Sequence, residues 1–403
     1  MNTSNDAQYD QYLNAGLALD LTRGKPCSDQ LDLSCALEDM IAGNFKTADG
    51  TDARNYGGLL GIPVARALGG TLLDVDPKYI MAGGNSSLTL MYQFLVWRLK
   101  AWQEDDPTQT FKFICVVPGY DRHFTICEHL GIEMISVGFD ADGPNMTKIE
   151  ALVRQDQNIK GIWCVPKHSN PTGHTYSQAT VERLANLPNL AGKDFILMWD
   201  NAYAAHDLDP RTMPLSNLMA RAQAAQTAHQ VALFASTSKI TFAGAGLAFC
   251  GLSEPMLQGF ETFLTPQMIG FDKVNQLRHA RLLKDSNDIA KHMAAHRVIL
   301  EPKFQRVQEK LMPLAEADLA TWSQPGGGYF VSLDLKAASA TQVIALANAA
   351  GVKLTPAGAT FPYGHDPEDK NIRIAPSFPD MMELDQALDV LVCCIVKASE
   401  MDR

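Results

Sequence analysis

The 403 residues read as an α/β protein: a large domain with a mostly parallel sheet flanked by helices, plus a smaller α+β domain. Short apolar runs recur at Tyr79–Ala82, Phe113–Val117, Glu133–Val137, Gly161–Val165, Phe195–Asp200, Val231–Ser236 and Leu247–Gly251. Several lack polar alternation, as strands covered on both faces do. Between them lie apolar residues at helical spacing, for instance Leu88, Met91, Tyr92, Leu95, Val96 and Leu99. Strand and helix signals in alternation imply crossover connections, and therefore parallel strands.

A chain of this size buries about three quarters of its unfolded surface, ample for a core without disulfides or metals. Apolar residues make up 46% and charged residues 20%, which excludes long disordered tracts. Past about residue 270 the pattern changes. Val274–Leu314 reads as long helices, followed by a Gly-rich turn at Pro325–Gly328, short strands and a terminal helix from about Met382. Joined by the N-terminal segment, this part forms the expected small domain, 1–49 with 296–403, beside a large domain at 50–295.

Lys and Arg number 34 against 45 Asp and Glu, a net charge of −11 with no basic block. That balance lacks the footprint of a nucleic-acid binder. The start, MNTSNDAQYD, shows no secretory pattern, and the apolar run Val390–Val396 is too short to span a bilayer. Eight scattered cysteines suggest reduced thiols and a cytoplasmic location.

Five short segments carry chemistry, each with an ordinary alternative. Gly83-Gly84-Asn85-Ser86-Ser87 follows a strand and opens a helix. Free N–H groups and hydroxyls there suit a phosphate, although taken alone the segment reads first as an ordinary Ser/Asn helix cap. The segment fits neither GxGxxG nor GxxxxGK[ST]. Ser169-Asn170-Pro171-Thr172-Gly173 is a turn, and Asp200 ends an apolar strand where parallel sheets place ligands, or else caps a helix. Lys239 follows a strand amid Ser236, Thr237 and Ser238; it is either a loop cation or a desolvated amine of lowered pKa. Arg373 lies inside the apolar stretch Asn371–Ile374, where an arginine needs a carboxylate partner, from the protein itself or from a substrate.

In their order along the chain, Gly24 with Pro26, Tyr56, GGNSS, SNPTG, DNAY, STSK and NIRI resemble the fold-type I, class I/II aminotransferases, over roughly residues 20–380. The run LTRGKP, GGNSS, PGYDRHF and STSKITFAGAGLAF looks closest to the MocR-like branch, which includes bacterial aspartate aminotransferases. The resemblance implies pyridoxal 5′-phosphate (PLP) as cofactor and Lys239, Asp200 and Tyr203 as catalytic residues. Lys239 would carry the cofactor as a Schiff base and then shuttle a proton, while Asp200 would pair with the pyridine nitrogen. Tyr203 and Asn170 would bind the phenolic oxygen, and Tyr120 would stack on the ring, with Phe124 as stand-in. Asn85, Ser86, Ser87 and Ser236 would hold the phosphate, helped by Tyr56 from a second subunit of a homodimer. Arg373, Gly24 and Asn170 would clamp the substrate α-carboxylate.

In one place the chain departs from the family pattern: Ile240–Phe249 lacks the arginine that usually reaches the cofactor phosphate. The substrates implied are aspartate and 2-oxoglutarate, in a ping-pong cycle. Arg23 is the first candidate for the distal carboxylate, followed by Arg278, Arg281 and Arg122. The alternatives are other specificities (alanine or aromatic), a PLP lyase or decarboxylase, and a PLP-binding regulator. The acidic balance argues against the regulator, as do the roughly twenty residues before the matched region. His292 and His296, at i and i+4 without the glutamate of HExxH, read as a solvated helix face, and no metal is expected. His168 and His206 read as polar packing.

Overall fold

The computed structural model describes residues 3–401; the outermost residues of the expected small domain, 1–2 and 402–403, lie outside the described residues. All seven apolar runs become strands of one sheet: β1 Ile80–Ala82, β2 Lys112–Val116, β3 Glu133–Val137, β4 Ile159–Cys164, β5 Ile196–Asp200, β6 Val231–Ser236 and β7 Ala248–Leu252. Their order is β1-β7-β6-β5-β4-β2-β3. Strand β7 runs antiparallel to both neighbours, and the remaining pairs are parallel. Five strands start one or two residues away from the sequence expectation, and two of the shifts have a visible cause. Tyr79 belongs instead to a 3-10 turn, Pro77–Tyr79, whose cap is Asp76. Strand β4 begins earlier, at Ile159, because that residue pairs with Lys112 of β2.

The missing polar alternation has a direct cause. Ile114, Val116, Leu197 and Trp199 face one apolar layer, with Leu68, Ile149 and Leu184 from helices on that side. Phe113, Cys115, Ile196 and Met198 face the other, with Leu90, Phe94, Ile126 and Phe260. With both faces covered, successive residues gain the same benefit from burial, about 1.5–3 kcal/mol for each large apolar side chain.

A third core draws on both ends of the chain. Tyr9 and Leu21 join Val307, Leu311, Leu388 and Leu391 there. Its sheet is β8 Ala320–Trp322, β9 Val331–Leu335 and β10 Asn371–Ile374, antiparallel in that order. Leu19–Asp20 pairs in parallel with Val352–Lys353, which fastens the N-terminal segment to this core. The 31-residue helix Ser286–Glu316 contains Pro302 and Pro313 and is about 46 Å long at 1.5 Å per residue. Its start packs Ile289 and Met293 into the first layer, while Phe304, Val307 and Leu311 enter the third core. Among the described residues no helix is long and apolar enough to cross a membrane.

Candidate active site

The carboxyl ends of β5 and β6 lie side by side mid-sheet, so Asp200 and the loop following Ser236 emerge together. A cavity there is lined by Gly24, Tyr120, Val165, Asn170, Asp200, Ala202, Tyr203, Lys239 and Phe330. Residues as far apart in sequence as Gly24 and Phe330 thus share one wall. Gly24 is required by space: a Cβ there would lie 2.0 Å from Cζ of Phe330.

Asp200 is buried, and its Oδ2 lies 3.0 Å from Nε2 of His123. The His123 ring stacks on Trp163, with centroids 4.0 Å apart and planes at 7°. Tyr120 meets the same imidazole edge-on at 5.0 Å. Oδ1 of Asp200 is buried without a hydrogen-bond partner. An unpaired buried acceptor of this kind is costly unless something donates to it.

Lys239 Nζ sits 5.0 Å from the centre of the Tyr203 ring. Its side chain keeps some contact with the cavity, but the surrounding protein lowers its pKa by desolvation, with Asp200 pulling the other way. Burial likewise raises the pKa of the Tyr203 and Tyr120 hydroxyls, reinforced by nearby Asp200. Relative to their free states, the amine and both phenols are shifted toward their uncharged forms.

The backbone under Lys239 is held by residues from distant parts of the chain. The Lys239 carbonyl accepts from the Tyr329 hydroxyl and His206 Nε2, each at 3.2 Å. The Ile240 carbonyl accepts from His292 Nε2 at 2.7 Å and His296 Nε2 at 2.9 Å. Gln30 donates to the Tyr329 hydroxyl at 2.8 Å and to Nδ1 of His296 at 3.0 Å. Burial pushes His206 down to about 3 and His296 down to about 4, so both stay neutral donors at physiological pH. The reading of His292 and His296 as a solvated face is thereby corrected: His296 is 1% exposed. Once the chain leaves β6, its carbonyls no longer have ladder partners, and the inner face of the long helix supplies them.

The remaining expected residues fall into place unequally. Asn170 Oδ1 accepts from Arg373 Nη1 at 3.4 Å. Arg373 is buried, lies 4.8 Å over the Phe330 ring, and also contacts Asp121 and Thr355. Ser86 does cap the helix Ser87–Asp105, accepting from Thr89 N at 3.4 Å. Asn85 donates to the Gly244 carbonyl at 3.1 Å, while Ser236 donates to Ser238 at 3.1 Å and Ser238 to the Asn85 carbonyl at 3.4 Å. The glycine turn and the lysine loop are thus tied together. Phe124 is buried in the apolar layer and does not line the cavity.

Tyr56 is 81% exposed and does not line this cavity. Neither does Arg23, half exposed and paired with Asp20 at 2.7 Å. Arg281 donates to the carbonyls of Met40, Asn44 and Lys46, a structural task, and Arg122 is exposed. Arg278 borders a neighbouring cavity with Gly83, Gly84, Asn85 and Gly244, and its Nε is buried without a partner. Sequence reasoning missed His123, Gln30 and Tyr329. The only signal for His123 was its place three residues after Tyr120 in PGYDRHF. Gly328-Tyr329-Phe330 announced an aromatic pair without showing where it points.

The family model for aspartate amino-transferase matches residues 1–403. The chain is 46% identical over 392 residues to a Mycolicibacterium smegmatis protein assigned to the aminotransferases, covering 95% of this chain and 91% of that one. It is 42% identical over 405 residues to an aspartate aminotransferase of Corynebacterium glutamicum, covering 97% of this chain and 92% of the relative. The crystal structure of an aspartate transaminase from Corynebacterium glutamicum superposes with a TM-score of 0.95 at 41% identity, covering 100% of this chain and 96% of that one. Full-length matches at this identity, on a fold with the same mostly parallel sheet, make the chain a member of the aspartate amino-transferase family and an aminotransferase.

Proposed function

We propose that this aminotransferase uses PLP to exchange an amino group between aspartate and 2-oxoglutarate by a ping-pong cycle. The observation that carries the cofactor reading is the unpaired Oδ1 of Asp200, in one cavity with the desolvated amine of Lys239. Those groups fit PLP: the carboxylate would accept from a protonated ring nitrogen and the amine would hold the cofactor's carbonyl carbon. When bound, PLP supplies an electron sink for the charge left at the substrate Cα.

The protein's own groups do the rest. His123 holds Asp200 through Oδ2 and leaves Oδ1 of this cavity-lining residue without a partner. Once a substrate amine has taken its place, Lys239 Nζ would be free to accept the proton from the substrate Cα and to hold it for return. Desolvation favours its uncharged form, the form able to accept a proton, and the held carbonyls of Lys239 and Ile240 limit where it can reach. Tyr203 and Asn170 would hold the cofactor's phenolic oxygen, and Tyr120 would cover its ring. Asn85, Ser86, Ser87 and Ser236 would take the phosphate at the helix start. Arg373, with Asn170 and Gly24, would clamp the α-carboxylate. Arg23, next to Gly24 in the chain, is proposed for the distal carboxylate.

Aspartate as substrate is supported by the Corynebacterium glutamicum relative, and the motif run around Lys239 supports a place in the MocR-like branch. The division into residues 50–295 and 1–49 with 296–403 belongs to the same reading, supported by the third core, which gathers both chain ends. A homodimer would bring Tyr56 to a second copy's phosphate site; the Lys273 amine donates to the Gly57 carbonyl beside it, while its own ring stays in solvent. A cytoplasmic location accords with eight free cysteines.

The test is Lys239→Ala. The variant should still fold, yet lose the visible absorption band that covalently held PLP gives, together with all turnover. A variant that kept both would remove Lys239 from the mechanism.

A further inference from the structure

The guanidinium of Arg373 already holds a carboxylate of its own chain. Nη1 donates to Asp121 Oδ1 at 3.2 Å and to Asn170 Oδ1 at 3.4 Å, and Nη2 donates to Thr355 Oγ1 at 3.2 Å. Nε is buried without a partner. A carboxylate takes two parallel N–H bonds from an arginine, either end-on from the two Nη atoms or side-on along an edge that includes Nε. Here both Nη1 hydrogens are engaged, and Nε is sealed off. An incoming carboxylate gains a two-point grip only if one partner lets go.

The three partners are not equally able to leave. Asn170 and Thr355 are 4% and 7% exposed, whereas the Asp121 side chain is 33% exposed. Asp121 is also the first residue of the helix Asp121–His129, where a carboxylate remains favoured after losing its arginine. It can turn to water at little cost.

We propose that Asp121 occupies the α-carboxylate seat on Arg373 and that substrate binds by displacing it. This rests on the reading of Arg373 as the substrate clamp. The arrangement keeps a buried guanidinium neutralised, which otherwise costs several kcal/mol. It also sets a threshold: only an anion able to make the full two-point grip outcompetes a tethered carboxylate. Asp121 is therefore a residue that sets affinity for every amino-acid and 2-oxo-acid substrate alike.

Binding of maleate and of propionate to the PLP-loaded protein, measured by calorimetry, tests this. Neither ligand carries an amine, so neither reacts. Asp121→Asn should tighten both by the same factor, about five- to tenfold, as expected when a competitor that holds the seat most of the time is removed. KM for aspartate should fall by a similar factor. Unchanged or weaker binding would overturn the proposal, as would weakening that Asp121→Glu restores, since the carboxylate would then be orienting the arginine. A gain for dianionic maleate near the square of that for propionate would also overturn it, because a general field effect scales with ligand charge. Arg373→Lys separates the two claims: it should weaken both ligands at least tenfold. If it changes neither, the clamp itself is wrong and the seat falls with it.

Discussion

The two ends of the region around Lys239 are built on opposite plans. At the Asp200 end every group has a second group behind it: His123 on the carboxylate, Trp163 on His123, and Tyr329, His206 and His296 on the lysine loop. All of these lie in the interior. At the Gly83–Ser87 end, Asn85 is exposed, Ser86 and Ser87 are half-buried, and the Ser86 hydroxyl caps its own helix. The first end holds a carboxylate and an amine through interior partners. The second offers loose hydrogen-bond donors and a helix end, and its missing arginine leaves room for help from elsewhere, whether Arg278 nearby or Tyr56 of a second copy. On the proposed reading, electronic control and anchorage are therefore separable.

That separation predicts different symptoms for damage at each end. Asp200→Asn should lower kcat by at least about 100-fold even with the cofactor saturating, the scale on which one preorganised electrostatic group acts. The check is steady-state turnover in excess PLP. A smaller effect should follow from Ser87→Ala combined with Ser236→Ala: a PLP dissociation constant raised about tenfold per lost bond to the phosphate, with kcat near wild type when loaded. Fluorescence titration of the cofactor measures it. Should the serine variant lose kcat and the aspartate variant lose only affinity, the contrast between the ends would be reversed.

How far the sequence discloses this follows from how local each feature is. Strands β1 to β7 were legible because burial on both faces erases polar residues from a short run, a property of the run alone. Asp200 and Lys239 were legible because each follows such a run directly. The support behind them was not. Gln30, His206, His292, His296 and Tyr329 meet only where the N-terminal segment, the long helix and the third core converge on two carbonyls. Helix spacing placed His292 and His296 on one face correctly, but could not say that this face meets unpaired backbone. Ser86 illustrates the limit from the other side: the ordinary cap and the proposed phosphate donor are one residue, and the cap is what its side chain makes.

The central claim joins a cofactor held at Lys239 to a preference for aspartate. It is tested most directly by mixing the PLP-loaded protein with one amino acid at a time, no 2-oxo acid present, and following the visible band. Aspartate and glutamate should discharge the band in a single turnover, leaving the aminated cofactor and one equivalent of oxaloacetate or 2-oxoglutarate, with alanine far slower. A band that alanine or an aromatic amino acid discharges faster than aspartate, or a discharge that releases carbon dioxide without forming a 2-oxo acid, would contradict it.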